Sequence, residues 1–279
     1  MYYCFDQVGR IPFDEQIRNF QNTLDQITDT LGADDVARQV GRSLFFVGMG
    51  SNDYLNNYLM PNYPTRNRYN GRQFADLLTQ EYSRQLTKLY NLGARKFVIA
   101  GLGVMGCIPS ILAQSPAGNC SDSVNKLVQP FNENVKAMLK NFNANQLPGA
   151  KFIFIDVAHM FREILTNSPA YGMCLLALIN CVYCILSSFF FYFNFRWYFF
   201  VGFSVINRGC CGIGRNRGQI TCLPFQTPCP NREQYVFWDA FHPTEAVNVL
   251  MGRKAFNGDL SKVYPMNIEQ LANLEMESN

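Results

Sequence analysis

Asp239-Ala-Phe-His242 sets a carboxylate three residues before one of only two histidines in the chain. In a turn that ends at Pro243, this spacing lets the Asp orient the imidazole and stabilise its charged form. That is the orienter-and-base half of a nucleophilic triad. The competing reading is a helix-entry turn in which Asp239 only caps, because Asp before Pro-Thr is ordinary capping chemistry. Trp238 and Phe241 argue for a partly buried site, where an Asp–His pair is harder to reduce to a cap.

A second polar cluster, Gly50-Ser-Asn-Asp53, follows a short apolar run. An Asn52 amide at a strand end is placed to donate to a developing oxyanion. The same four residue types are also ordinary turn formers. Gly101-Leu-Gly-Val-Met-Gly106 matches a dinucleotide fingerprint letter by letter. Its context argues against that use: Cys107-Ile-Pro109 prevents a clean helix from starting, and no acidic residue ends a second strand about twenty residues on. The stretch reads as a tight loop.

The chain carries ten cysteines. Cys174, Cys181 and Cys184 lie in a hydrophobic segment and Cys4 lies near the start. The remaining six, Cys107, Cys120, Cys210, Cys211, Cys222 and Cys229, are an even set in loop-rich stretches and read as three disulfides whose pairing the spacing leaves open. A zinc site from the last four lacks Cys-x-x-Cys spacing. Asn119-Cys-Ser121 is a glycosylation sequon. His159, beside Met160 and Phe161, reads as a helix-start residue rather than a ligand.

The elements that must position these groups follow from periodicity. Residues 14–31 place Ile17, Phe20, Leu24, Ile27 and Leu31 on one helical stripe that Gly32 ends. Residues 72–92, closed by Gly93, and residues 122–142 repeat the pattern, with a kink expected at Pro130. Ser43 to Met49, Lys96 to Ala100 and Lys151 to Val157 read as buried strands, and residues 243–255 as a helix with Pro243 in its first turn. Short apolar strands alternating with amphipathic helices define an α/β protein with a parallel sheet. Sites in such sheets gather at the carboxyl ends of the strands, which is where Gly50-Ser-Asn-Asp53 falls.

Hydrophobic residues make up 48% of the chain and charged residues 16%, so a sizeable core is expected and general disorder is not. The net charge is +3 and no basic run exceeds Arg66-Asn-Arg68, which excludes an electrostatic nucleic-acid surface. Met1-Tyr-Tyr-Cys-Phe-Asp6 does not read as a signal peptide. The cysteine content nevertheless points to an oxidising compartment.

Residues 173–201 stand apart: they are dense in aromatic and aliphatic side chains and carry one charge, Arg196. By length and hydropathy the segment is a membrane-span candidate. A buried core helix fits poorly, because the segment has no polar face. A span would also put Asn52 and His242 on opposite sides of a bilayer. A third reading is a translated retained intron. Gly172-Met173 and Val201-Gly202 can be encoded with the GT start and AG end of an intron. Phe-rich sequence is what a pyrimidine-rich splice tract encodes, and excision keeps the frame.

Four stretches together resemble the plant GDSL esterase/lipase family of the SGNH hydrolases. They are Val47-Gly-Met-Gly-Ser-Asn-Asp-Tyr-Leu-Asn-Asn57, Gly101-Leu-Gly-Val-Met-Gly-Cys-Ile-Pro109, Asn207-Arg-Gly-Cys-Cys-Gly212 and Phe237-Trp-Asp-Ala-Phe-His-Pro-Thr-Glu-Ala246. The resemblance runs from about Gln7 to the C-terminus, except residues 173–201. It implies a three-layer α/β/α flavodoxin-like sandwich, residues 1–279 forming a single domain interrupted by the 173–201 insert. It also implies His242 as general base, Asp239 as its orienter and Asn52 as an oxyanion-hole donor, with neither metal nor organic cofactor. Family members are secreted hydrolases of acyl esters and lipids. The departure lies in the nucleophile: the family uses a Ser in a Gly-Asp-Ser block near its N-terminus, and no Gly-Asp-Ser occurs in this sequence. The chain starts after that block and after a second that supplies an oxyanion Gly. The sheet is therefore expected to lack its first strands and to expose an edge. Ser51 lies where the family does not place its nucleophile. The alternatives are an acyl- or lipid-binding protein without turnover, or a protein anchored in a membrane through 173–201.

The intron reading predicts transcripts in which the codons of residues 173–201 are removed in frame; sequencing reads across the Gly172–Gly202 junction check it, and their consistent absence sinks it.

Overall fold

The computed structural model describes residues 10–172 and 202–275. The readings placed on the first six residues and on 173–201 lie outside them. Among the described residues, no helix is long and apolar enough to cross a membrane. Among the described residues six strands form: β1 (Leu44–Val47), β2 (Lys96–Ala100), β3 (Lys151–Ile155), β4 (Val205–Gly209), β5 (Tyr235–Phe237) and β6 (Val263–Tyr264). The chain divides into two compact units. One holds residues 10–106, 122–160 and 251–275, and the other holds 107–121, 161–172 and 202–250.

The first unit is built on a sheet of order β1-β2-β3-β6. β1, β2 and β3 run parallel, in register Phe45↔Phe97 and Phe97↔Phe152. β6 adds an antiparallel edge that the sequence did not announce. Alternate residues of β2 and β3 serve opposite faces. Phe97, Ile99, Phe152 and Phe154 join one core with Phe74, Leu78 and Leu86 of the helix Gly71–Asn91 and Phe131 and Val135 of the helix Asp122–Asn141. Val98, Ile153 and Ile155 join another with Met160, Ala255 and Leu271. This burial of both faces makes the three α/β/α layers that the family resemblance implied. Phe97 stacks on Phe152 at the centre, with ring centroids 4.3 Å apart.

The long helices start and stop where the sequence placed them. Asn70 and Gln73 form a reciprocal capping box at the head of Gly71–Asn91. The helix Phe13–Leu31 ends at Gly32, whose φ is +86°. Pro130 lies inside Asp122–Asn141. Asp156 ends β3 and accepts from the His159 N–H at 2.9 Å, so His159 is a first-turn residue of the helix Val157–Thr166, as expected.

One expectation needs correction. Residues 43–49 read as a buried strand, yet Phe46 is 66% and Leu44 42% exposed. An apolar run is buried on both faces only when both are covered. β1 lies at the sheet edge, and only Phe45 and Val47 turn to the core, where Phe45 meets Phe20 and Phe97.

The glycine-rich loop after β2 is tight, as its context implied. A Cβ on Gly101 would sit 2.4 Å from the Phe154 ring. Asn132 grips the next residue twice: its Oδ1 accepts from the Leu102 N–H at 2.7 Å, and its Nδ2 donates to the Leu102 carbonyl at 2.9 Å. Asn132→Ala leaves both backbone groups buried without partners and is expected to cost about 2–4 kcal/mol. Urea unfolding checks this; a loss below about 1 kcal/mol would show that other contacts hold the loop.

Candidate active site

The second unit carries the Asp239–His242 pair. β4 and β5 pair in parallel, and the chain leaves β5 directly into Trp238 and Asp239. Three cross-links brace this unit: Cys107–Cys120, Cys210–Cys229 and Cys211–Cys222. The six cysteines are those expected to pair. The four C-terminal ones form nested disulfides and hold no thiolate for zinc. Among the described residues, no group of three or more His, Cys, Asp or Glu is placed to hold a metal ion.

The 238–242 turn is closed by the Trp238 N–H donating to the His242 carbonyl at 2.8 Å. From outside, the Cys211 N–H donates to the Trp238 carbonyl at 2.7 Å and the Ser110 N–H to the Ala240 carbonyl at 2.9 Å. Gly209 lies against the Asp239 backbone, where an added Cβ would come within 3.1 Å. Downstream, the Thr244 N–H and hydroxyl donate to the carbonyls of Val236 and Tyr235 and seat the helix Glu245–Asn257.

Asp239 is 7% exposed. Its Oδ1 accepts from the N–H groups of Phe241 at 2.9 Å and His242 at 2.7 Å. The His242 Nδ1 lies 3.0 Å from both carboxylate oxygens. Oδ2 also accepts from the Thr221 hydroxyl at 3.0 Å, a contact that sequence reading missed. An ionised carboxylate only accepts, so Nδ1 carries the proton and Nε2 is left with its lone pair. Nε2 bonds to no described residue, and the side chain is 71% exposed. The capping alternative is thus half true: Asp239 does cap its own turn, and it holds the imidazole with the same carboxylate.

Electrostatics follow from these contacts. Burial pushes the Asp239 pKa up, but the bonds from the His242 ring and from the two backbone N–H groups outweigh it and hold the carboxyl at about 2. The hydrogen bond to Asp239 raises the His242 pKa against the opposing effect of burial. For the raised imidazole, the stabilising contribution is full below its unfolded pKa and disappears as pH rises through the folded value. For the lowered carboxyl, it is present above 3.8 and is lost as pH falls toward about 2.

Asn52 belongs to the first unit. Gly50, at φ +118° and with a Cβ position 3.2 Å from the Phe131 ring, turns the chain out of β1 into a short helical turn, Ser51–Asp53. The Asn52 carbonyl oxygen accepts from the Asn56 amide at 2.9 Å, which leaves its own NH2 as the group to donate. Burial raises the pKa of neighbouring Asp53. Ser51 is exposed at the start of the turn.

Comparison with known proteins fits this architecture. The model of the GDSL-like lipase/acylhydrolase family matches residues 11–255. Three GDSL esterase/lipases of Arabidopsis thaliana are 60%, 43% and 42% identical to the chain over 268, 273 and 266 residues. These alignments cover 96%, 96% and 94% of this chain. The chain belongs to the GDSL-like lipase/acylhydrolase family. It spans 62%, 67% and 63% of the lengths of those relatives.

The two histidines make the pairing measurable. NMR titration of the imidazoles is expected to show His242 above the ordinary value, and Asp239→Asn is expected to bring it down. An unchanged His242 titration in that variant would dissolve the pair.

Proposed function

We propose that the protein is an ester hydrolase acting on acyl esters or lipids, with His242 as general base, Asp239 as its orienter and Asn52 as an oxyanion donor. The observation that carries this reading is the imidazole held through Nδ1 on a buried carboxylate while Nε2 bonds to no described residue. Family membership supplies the reaction class.

In this reaction Nε2 accepts the proton of a serine hydroxyl as its oxygen attacks the ester carbonyl. Asp239 stabilises the imidazolium that results. The Asn52 NH2 donates to the carbonyl oxygen as negative charge develops; such a donor is worth about 100- to 1,000-fold in rate. The imidazolium returns the proton to the departing alcohol. Water then attacks the acyl-enzyme by the same route and releases the acid. The sequence holds no Gly-Asp-Ser block, so the serine is the component that these residues do not identify. The three disulfides support an oxidising, extracellular location.

The purified chain is expected to turn over a short p-nitrophenyl ester at close to the background rate. Fusing to it the Gly-Asp-Ser-bearing segment of a relative is expected to restore hydrolysis, and His242→Ala in the fusion to reduce kcat by about 10,000-fold or more. Hydrolysis by the fusion that survives His242→Ala would overturn the assignment. Strong activity of the unfused chain that Ser51→Ala abolishes would make Ser51 the nucleophile.

A further inference from the structure

We propose that Thr221 is a positioning residue for this site, and that the Cys211–Cys222 disulfide holds it there. The inference rests on the Asp239–His242 reading and adds to it a residue that sets the orientation of the carboxylate.

The argument starts from the two oxygens of Asp239. Oδ1 is bound by N–H groups of its own turn, from Phe241 and His242, and these fix one end of the carboxylate. They restrain rotation about the Cβ–Cγ bond, but from one oxygen and from within the turn itself. Oδ2 accepts from the Thr221 hydroxyl at 3.0 Å, and this is the side-chain bond that reaches Asp239 from outside the 239–242 turn. Two anchors on two oxygens define the carboxylate plane, and the His242 Nδ1 meets that plane 3.0 Å from each oxygen. Without the hydroxyl, the bonds at Oδ1 and the ring itself are left to hold the carboxylate, and Oδ2 shifts more readily relative to the ring.

Thr221 is eighteen residues away from Asp239 in sequence, so something must bring it there. Its neighbour Cys222 is joined to Cys211, and the Cys211 N–H donates to the Trp238 carbonyl at 2.7 Å. The disulfide therefore ties the loop bearing Thr221 to the strand end bearing Asp239. Within that loop, Ile213 and Ile220 exchange backbone hydrogen bonds at 3.0 and 3.3 Å, which fixes the approach of residue 221. The Arg217 guanidinium donates to the Cys210 carbonyl at 2.7 Å and closes the loop from its far side. Asp239 is the charged group acting on the His242 ring among the described residues, so a turn of its carboxylate is read directly at the imidazole.

The test is made on the purified full chain by NMR titration of His242, together with its Nδ1–H resonance; His159 serves as the internal control. Thr221→Val keeps the side-chain shape and removes the hydroxyl. It is expected to lower the His242 pKa toward the ordinary imidazole value and to broaden the Nδ1–H signal. Thr221→Ser is expected to restore both, which a purely structural role for the side chain would not produce. The double substitution Cys211→Ala with Cys222→Ala is expected to reproduce the valine result. If the valine variant does not fold, Thr221→Ala against Thr221→Ser carries the same comparison. A His242 titration unchanged by loss of the hydroxyl overturns the proposal, and so does a rise, which would mean that Thr221 only shields the charge. Asp239→Asn separates the two levels: if it lowers the His242 pKa while the Thr221 variants do not, the positioning role fails and the Asp–His pair stands. If Asp239→Asn also has no effect, the reading beneath the proposal fails as well.

Discussion

The first unit depends on one constraint: both faces of β2 and β3 must be kept from water at once. Their alternation sends Phe97, Ile99, Phe152 and Phe154 one way and Val98, Ile153 and Ile155 the other, so each face needs its own helical cover. The aromatic side takes the long helices Phe13–Leu31, Gly71–Asn91 and Asp122–Asn141. The aliphatic side takes shorter pieces from late in the chain. The loop after β2 is compressed by the same need, because Gly101 has to pass the Phe154 ring and Asn132 has to satisfy the backbone of Leu102 inside the core. β1 escapes the constraint on one face, and that is where exposed Phe46 appears.

The second unit works by a different means. Its paired strands are short, and Cys210, Cys211, Val236, Phe237 and Ala240 are almost wholly buried around them. Small sheets bury too little apolar surface to hold themselves rigid, and nested disulfides supply the missing restraint. That restraint falls on the segment that matters chemically. The backbone on either side of Asp239 is held by disulfide-bonded Cys211 and by Ser110, and its carboxylate is held by its own turn and by Thr221. His242 is the exposed member of an otherwise buried arrangement. A group that must exchange protons with a substrate has to keep one nitrogen accessible while the other is fixed.

Much of this was legible in the sequence, and what was legible was local. The bounds of the long helices and their terminating glycines, the apolar runs of β2 and β3, and the spacing of Asp239 and His242 depend on contacts within a few residues. So do the first-turn position of His159 and the tight loop at Gly101. Ile27 and Leu31 of the first helix's stripe, by contrast, stay exposed. The family relationship was also readable, because its blocks are short contiguous stretches of backbone-constrained residues. β6, β4 and β5 were not readable: β6 and β5 are two and three residues long, and five-residue β4 (Val205-Ile-Asn-Arg-Gly209) is neither a continuous apolar run nor an alternating one, so they become strands only when a neighbour offers free hydrogen bonds. The exposure of β1 was hidden because apolar composition does not tell one covered face from two.

Residue chemistry and short-range spacing by themselves determined the α/β class, the Asp–His pair, the Asn52 turn and the set of six cysteines that pair. Tertiary structure alone decided which cysteine joins which, that Nδ1 rather than Nε2 of His242 faces the carboxylate, and that Thr221 lies on Oδ2. Each of these is a meeting of groups far apart along the chain or a choice between equivalent atoms, and chain order carries no record of either. Only the packing of strands and loops around a buried carboxylate makes that choice.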